Sequence, residues 1–273
     1  MKQGLLNEVF YQIVALLVAF LIVHATYVTL IRPNAELIQE QNTLQQQLDE
    51  NFAPERSVYI ILRDLEQETC IILMLWATAI IGMKAARTLR ERRLLESNLV
   101  QVAEGMSILP EDARNYARPV QALDEKDRGY LLPRALLAGL HRFQTTRDIQ
   151  AASGIVKNTC DTEADRLETE LTIVRYIAWA IPSIGFLGTV RGIGTALGQA
   201  YQAVSGDIAG VTTSLGVAFN STFVALVVSI FLMFLLHQLQ LLQDRLVLDC
   251  QNYCDERLIR HLQVSRGMEH ASE

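Results

Sequence analysis

Apolar residues in this chain are gathered into four long runs separated by polar stretches. The first, residues 9–31 (VFYQIVALLVAFLIVHATYVTLI), holds no Asp, Glu, Lys or Arg. Roughly 20 apolar residues cross a bilayer, so it is long enough to span. It is also longer than a signal-peptide core, and no small-x-small cleavage site follows it. The second run, residues 70–86 (CIILMLWATAIIGMKAA), is shorter. Its flanks define it, with Glu66 and Glu68 on one side and Lys84, Arg87, Arg90, Arg92 and Arg93 on the other. The third, residues 173–200, is glycine-rich with one central charge, Arg191. The fourth, residues 211–237, carries nothing ionisable before His237. Uncharged runs of this length do not fit soluble helices. The pattern predicts an all-α integral membrane protein with four transmembrane helices.

The stretches between the runs read as helical. Residues 32–69 form an extracytoplasmic helical segment, in which AELIQEQNTLQQQLDE (35–50) places Leu37, Leu44 and Leu48 at helical spacing and Pro54 is placed to start a further helix. Residues 87–170 form a cytoplasmic helical domain. There TLRERRLLESNLVQVAEGM is expected to prolong the second span as far as Leu109-Pro110, with helices at 111–123, 133–145 and 161–175 separated by Pro119, Pro133 and Gly154. Residues 238–273 form a cytoplasmic C-terminal helix and tail. The orientation follows from the basic cluster after the second span and from the absence of Lys and Arg between the third and fourth. By the positive-inside rule both termini are expected in the cytoplasm.

Composition refines the picture. Half of the 273 residues are hydrophobic, mean hydropathy is +0.19, and the formal charge is −6. Net acidity removes any general attraction to nucleic acid, and it is local: residues 32–69 hold 3 basic and 8 acidic side chains, whereas 84–170 balance at 14 of each. Such even mixing is that of a solvated helical bundle rather than a specific charged docking surface. Four cysteines are too few for a disulfide scaffold, and Cys250-x-x-x-Cys254 reads as reduced thiols rather than a metal pair. No nucleophile-base arrangement or phosphate-binding loop occurs, and the glycines of 185–198 follow no strand. Neither an enzyme nor a cofactor is expected. His24 reads as a satisfied interfacial histidine.

The informative chemistry lies in the last two runs. Gly188 and Gly192, then Gly194 and Gly198, are spaced to let helix backbones approach closely, and Pro182 removes one backbone hydrogen bond. On a helical wheel Gly185, Gly188, Thr189, Gly192 and Ala196 share a face. In the fourth run Ser214, Ala218, Ser221, Thr222, Ala225 and Ser229 form a small, weakly polar stripe opposite Phe219, Phe223, Leu226, Ile230 and Phe234. The bulky stripe suits lipid; the small one must face protein or a watery lumen. Thr189 and Thr222 fall at similar depth on these faces. They are candidates for an ion pathway, with helix packing as the alternative. Neither run holds an Asp, Glu or His within its core, so a conducting site needs a carboxylate from another chain.

The segments PSIGFLGTVRGI (182–193) and AFNSTFVALVVSI (218–230) resemble the MotA/TolQ/ExbB ion-channel family, covering about residues 171–245. The resemblance implies a ring, expected to be a pentamer, around a single-span partner of the TolR/ExbD/MotB type that supplies a membrane aspartate. In that family the last two spans line the pore, and the threonines corresponding to Thr189 and Thr222 lie beside that aspartate. The implied function is a stator-like subunit of an inner-membrane motor driven by the proton or sodium motive force; the alternative is a non-conducting scaffold that recruits cytoplasmic proteins. Pro182, Gly185, Gly188, Gly192, Ala196, Ser214, Ala218, Ser221 and Ala225 are then pore-lining or close-packing. Arg191 stands where TolQ and ExbB carry an apolar aromatic residue. It is expected to meet the pore mouth, an acidic partner residue or Asp207. Four spans are like MotA, whereas the glycine-threonine motif is closer to TolQ and ExbB.

Overall fold

A computed structural model describes residues 2–48, 57–97, 99–100, 102, 106–204 and 208–264. Among these the regular elements are helical. They are α1 (Lys2–Thr26), a π turn (Tyr27–Ile31), α2 (Arg32–Leu48), α3 (Val58–Leu62), α4 (Leu65–Leu95), α5 (Ala113–Gln121), α6 (Glu125–Arg128), α7 (Leu131–Thr146), α8 (Ile149–Glu170), α9 (Thr172–Gly198), α10 (Ala200–Val204) and α11 (Ala209–Arg257). Four helical stretches are long and apolar enough to cross a membrane: Glu8–Gln45, Leu65–Leu95, Ile149–Gly198 and Ala209–His261. The helix start expected at Pro54, and Asp207, lie outside the described residues.

The chain divides into two compact units, Met1–Gly82 with Ile173–His237, and Met83–Thr172 with Gln238–Glu273. In the first unit the run 9–31 and the helix expected after it are joined through Pro33. Proline has no N–H to give. A turn closed five residues back, Arg32 N–H to Tyr27 O, delivers Pro33 into the first turn of α2, where no N–H is needed. Tyr27, Val23 and Ile72 are buried together, and the Trp76 indole N–H donates to Gln12 O at 2.9 Å. Glu68, 4% exposed, ties the helices electrostatically. His24 Nδ1 lies 2.7 Å from one oxygen and Arg32 Nη2 2.5 Å from the other.

The second unit has the larger aliphatic core, built from Leu136, Leu140 and Phe143 of α7, Val156 and Cys160 of α8, and Cys250, Cys254 and Leu258 near the end of the chain. Gly139 lets α7 and α8 approach, since a Cβ there would stand 2.8 Å from Val156 Cγ2. Lys84 reaches Glu170 at 2.8 Å, and the nearly inaccessible Glu163 is held by Arg134 at 2.8 Å and Arg166 at 3.3 Å.

Three expectations for this unit are corrected. Helix α4 ends at Leu95 and does not reach Leu109. Ser97 Oγ donates to Leu94 O at 2.6 Å, Leu99 N–H finds the Tyr253 hydroxyl at 3.1 Å, and Ile108 exchanges backbone bonds with His261 and Gln263. Backbone groups that a longer α4 would have paired within the helix are paired across the unit instead. The helix expected at 161–175 begins at Ile149, where Asp148 Oδ1 accepts Gln150 N–H at 2.8 Å, and it stops at Glu170 before α9 starts. Pro119 lies inside α5 and Pro133 in the first turn of α7, while Gly154 lies inside α8 with open space around it. The boundary is set instead by Arg147, in the left-handed region at φ 51°. In the last run, α11 continues without interruption from Ala209 to Arg257, so no separate C-terminal helix starts at 238.

Candidate functional site

The close approach of α9 and α11 follows from where α9 has no side chains. A Cβ at Gly188 would lie 2.5 Å from Ser221 Cβ, one at Gly192 would lie 2.7 Å from Ala218 Cβ and 2.8 Å from Ser214 O, and one at Gly185 would run into Ala225 Cβ. Each glycine faces one small residue of α11, so the two backbones can touch. Gly185, Gly188, Gly192, Ala196, Ser214, Ala218, Ser221 and Ala225 are all buried between the two helices of a single chain. Gly194 and Gly198 are different: nothing lies within 4 Å of where their Cβ atoms would be, so they take no part in this crossing. Phe219, Phe223, Leu226, Ile230 and Phe234 point outward, each between 49% and 72% exposed.

The crossing brings Thr189 and Thr222 together. Their hydroxyls bond to each other; Thr189 Oγ1 also lies 3.1 Å from Ala218 O, and Thr222 Oγ1 lies 3.2 Å from Gly185 O. Two hydroxyl protons thus face three oxygen acceptors, one of them the other hydroxyl. Both side chains are half-buried. The arrangement can hold a proton at either oxygen, or turn a lone pair toward an approaching donor or cation.

Pro182 is accommodated from across the crossing. Having no N–H, it leaves the carbonyl of Ala178 without its helical donor, and Ser229 Oγ of α11 donates to that carbonyl at 3.3 Å.

Arg191 is paired within the chain. Its Nε lies 2.8 Å from Glu66 Oε1 and its Nη2 2.8 Å from Glu66 Oε2, a two-point contact, with Asp64 Oδ1 at 4.0 Å. Glu66 belongs to the first turn of α4 and Asp64 immediately precedes that helix, whose start lies against the glycine face: Glu66 Cγ would stand 3.2 Å from a Cβ on Gly188. Beside it Gln67, fully buried, points Nε2 at Ser221 Oγ, 3.4 Å away. Burial raises the Asp64 carboxyl above its ordinary range, against the lowering pull of Arg63 and Arg191. Sequence reasoning treated Glu66 as a flank of the second span and passed over Asp64 and Gln67. The available signal was Arg191 itself, because a guanidinium within an apolar run requires counter-charge nearby.

Four apolar membrane-length helices, the last two crossing through glycines around a bonded hydroxyl pair, define a multi-pass membrane protein with a polar seam between two of its spans. Residues 130–252 match the family model described as the MotA/TolQ/ExbB proton channel family. The matched region runs from the residue before α7 into α11 and so contains both threonines, Pro182 and Arg191. No curated protein and no solved structure matches the chain.

Proposed function

We propose that this chain is the ion-conducting, stator-like subunit of an inner-membrane motor, with both termini in the cytoplasm. Five copies surround a single-span partner whose membrane aspartate completes the site, and proton or sodium flow through that site moves the partner. The observation that carries this reading is the Thr189–Thr222 pair, two hydroxyls bonded at the crossing of α9 and α11 in spans that carry no carboxylate in their cores. Relay of an ion across a membrane needs a titratable or coordinating group. The hydroxyls supply coordination without titration, so the titrating group comes from the partner. In one protonation state they donate to its carboxylate; in the other they solvate the ion beside it.

The second reading, a non-conducting scaffold, draws on the occupied small faces: Gly185, Gly188 and Gly192 are filled by α11 of the same chain, as pure helix packing requires. One experiment separates the two. The chain is reconstituted in liposomes with a single-span subunit bearing one membrane Asp, and uncoupler-sensitive ion flux is measured. Wild-type complexes conduct, and the Thr189→Val/Thr222→Val double variant assembles equally well but is silent. Equal flux through the double variant would refute the channel assignment of these residues.

A further inference from the structure

Helix α2 is covered on one side only. Its inner face packs against the segment around α3, where Ala35 is fully buried and Gln39 Oε1 accepts from Arg63 Nη1. The opposite face carries Asn34, Leu37, Gln41, Leu44 and Leu48, at successive intervals of three, four, three and four residues. Leu37, Leu44 and Leu48 are 58%, 59% and 88% exposed, and Gln41 makes no side-chain hydrogen bond among the described residues. Single exposed leucines are ordinary, whereas an aligned row of them calls for a cover. Lipid is not that cover, because α2 also carries Arg32, Glu36, Glu40 and five glutamines.

Alternating steps of three and four make a seam that repeats every 3.5 residues or so, the period of a coiled coil, with Leu37 and Leu44 at its d positions and Asn34, Gln41 and Leu48 at its a positions. The polar a positions select the occupant. Against an apolar groove Gln41 would lose its water and gain no partner. Opposite its own copy it meets an identical amide, whose oxygen accepts what its nitrogen donates. The register comes without further instruction: two copies cross one bilayer in the same direction, so their α2 helices rise parallel and level. Charge permits the pairing as well. Glu36 and Glu40 are the only charged side chains of α2 after Arg32. At the seam's edge Glu40, in position g, faces the neutral Gln45 of the copy in position e, and Glu36, in position c, points away, so no like charges meet. Two heptads are short for a coiled coil between free peptides. Copies anchored in one membrane start from a high effective concentration of each other, which lets a short seam close.

We propose that α2 of one copy pairs with α2 of a second copy as a parallel two-stranded coiled coil, on the side of the membrane where α2 emerges, through Leu37, Gln41, Leu44 and Leu48. The seam does not rest on the channel reading, since it needs two copies in one membrane and no ion. It takes copies two at a time. Where copies stand in rings of five, at least one α2 of each ring is therefore left to reach a copy in another ring.

The test is disulfide formation in membranes of cells that make the full-length chain, with copper phenanthroline as oxidant. Leu37→Cys and Leu44→Cys report the seam, and Glu36→Cys and Thr43→Cys report its flank. The four natural cysteines are buried, so the wild type serves as the blank. The seam variants are expected to give a linked product of twice the chain's mass, about tenfold more than the flank variants or the wild type. Adding Gln41→Lys to Leu44→Cys sets two cations against each other on an exposed face and is expected to lower that product about tenfold. Equal product from seam and flank means random collision and overturns the pairing, as does a product that Gln41→Lys leaves unchanged. Linkage to a chain of different mass overturns the second copy and assigns the face to another protein. Absence of any product from both seam variants, made in wild-type amounts, overturns the proposal outright.

Discussion

Ser229 donates its hydroxyl to the carbonyl of Ala178, the backbone oxygen that Pro182 leaves without a helical partner. A bond between two membrane helices therefore stands in for one missing inside a helix. Ser229→Ala is expected to cost about 1 kcal/mol. The mechanism predicts more than the loss. In a Pro182→Ala background the residue at 182 regains an N–H, Ala178 O regains its helical donor, and Ser229→Ala becomes nearly neutral. A double-mutant cycle of unfolding free energies in detergent measures this coupling. Equal cost in both backgrounds would show that Ser229 acts by some other contact.

The glycines of α9 divide into two groups by what faces them. Gly188→Ala and Gly192→Ala would press a methyl to within 2.5 Å and 2.7 Å of side-chain carbon on α11. Each is expected to cost about 1–3 kcal/mol through overpacking and to part the threonine hydroxyls. Gly194→Ala and Gly198→Ala enter open space, so within the chain they are expected to be neutral or to gain up to about 1 kcal/mol of helix propensity. Unfolding measurements on the four single variants test the division, and a uniform penalty would contradict it.

Arg191 and Glu66 form a two-point pair on a half-exposed guanidinium. An exposed pair contributes little, so Arg191→Gln is expected to change stability by no more than about 1 kcal/mol. Arg191→Glu should be worse, because it sets a third carboxylate against Glu66 and Asp64. Exchanging the charges, Arg191→Glu with Glu66→Arg, should recover most of that loss. Melting temperatures of the purified variants give the answer; a double variant as unstable as the sum of the singles would mean that the two residues do not act as a pair.

The four helices long and apolar enough to cross a membrane were legible because length and the absence of charge mark such a stretch before any contact is known. The faces of α9 and α11 were legible for a similar reason: helical periodicity puts Gly185, Gly188 and Gly192 on one side wherever the helix packs. What the sequence concealed was decided by distant partners. Helix α4 stops at Leu95 because Tyr253, His261 and Gln263 offer bonds to the segment after it. Pro33 does not interrupt the first long helix because a π turn absorbs it, which no local propensity announces. Gly194 and Gly198 have the same spacing as Gly188 and Gly192 but lie on another face of α9, which α11 does not meet. Glu66 looked like a polar flank, and Asp64 and Gln67 drew no notice, because their contacts are with Arg191 and Ser221, more than a hundred positions away.

Asp64 makes that dependence measurable as a function of pH. Burial raises its carboxyl above the ordinary range; Arg63 and Arg191 pull it back, Glu66 pushes it further up, and the net effect is upward. A carboxyl whose folded-state value exceeds its unfolded one favours the fold when protonated. Its contribution is complete below the unfolded value, about 4, and is lost as pH rises through the raised folded value. Asp64→Asn imitates the protonated form at every pH. Unfolding free energies of wild type and variant should therefore agree near pH 4, diverge in the variant's favour as pH increases, and run parallel once the carboxyl is fully ionised. Arg191→Gln removes one of the charges that lower the carboxyl, so in that background the divergence should extend to higher pH. A wild type that gains stability over Asp64→Asn with rising pH would mean that the arginines outweigh burial.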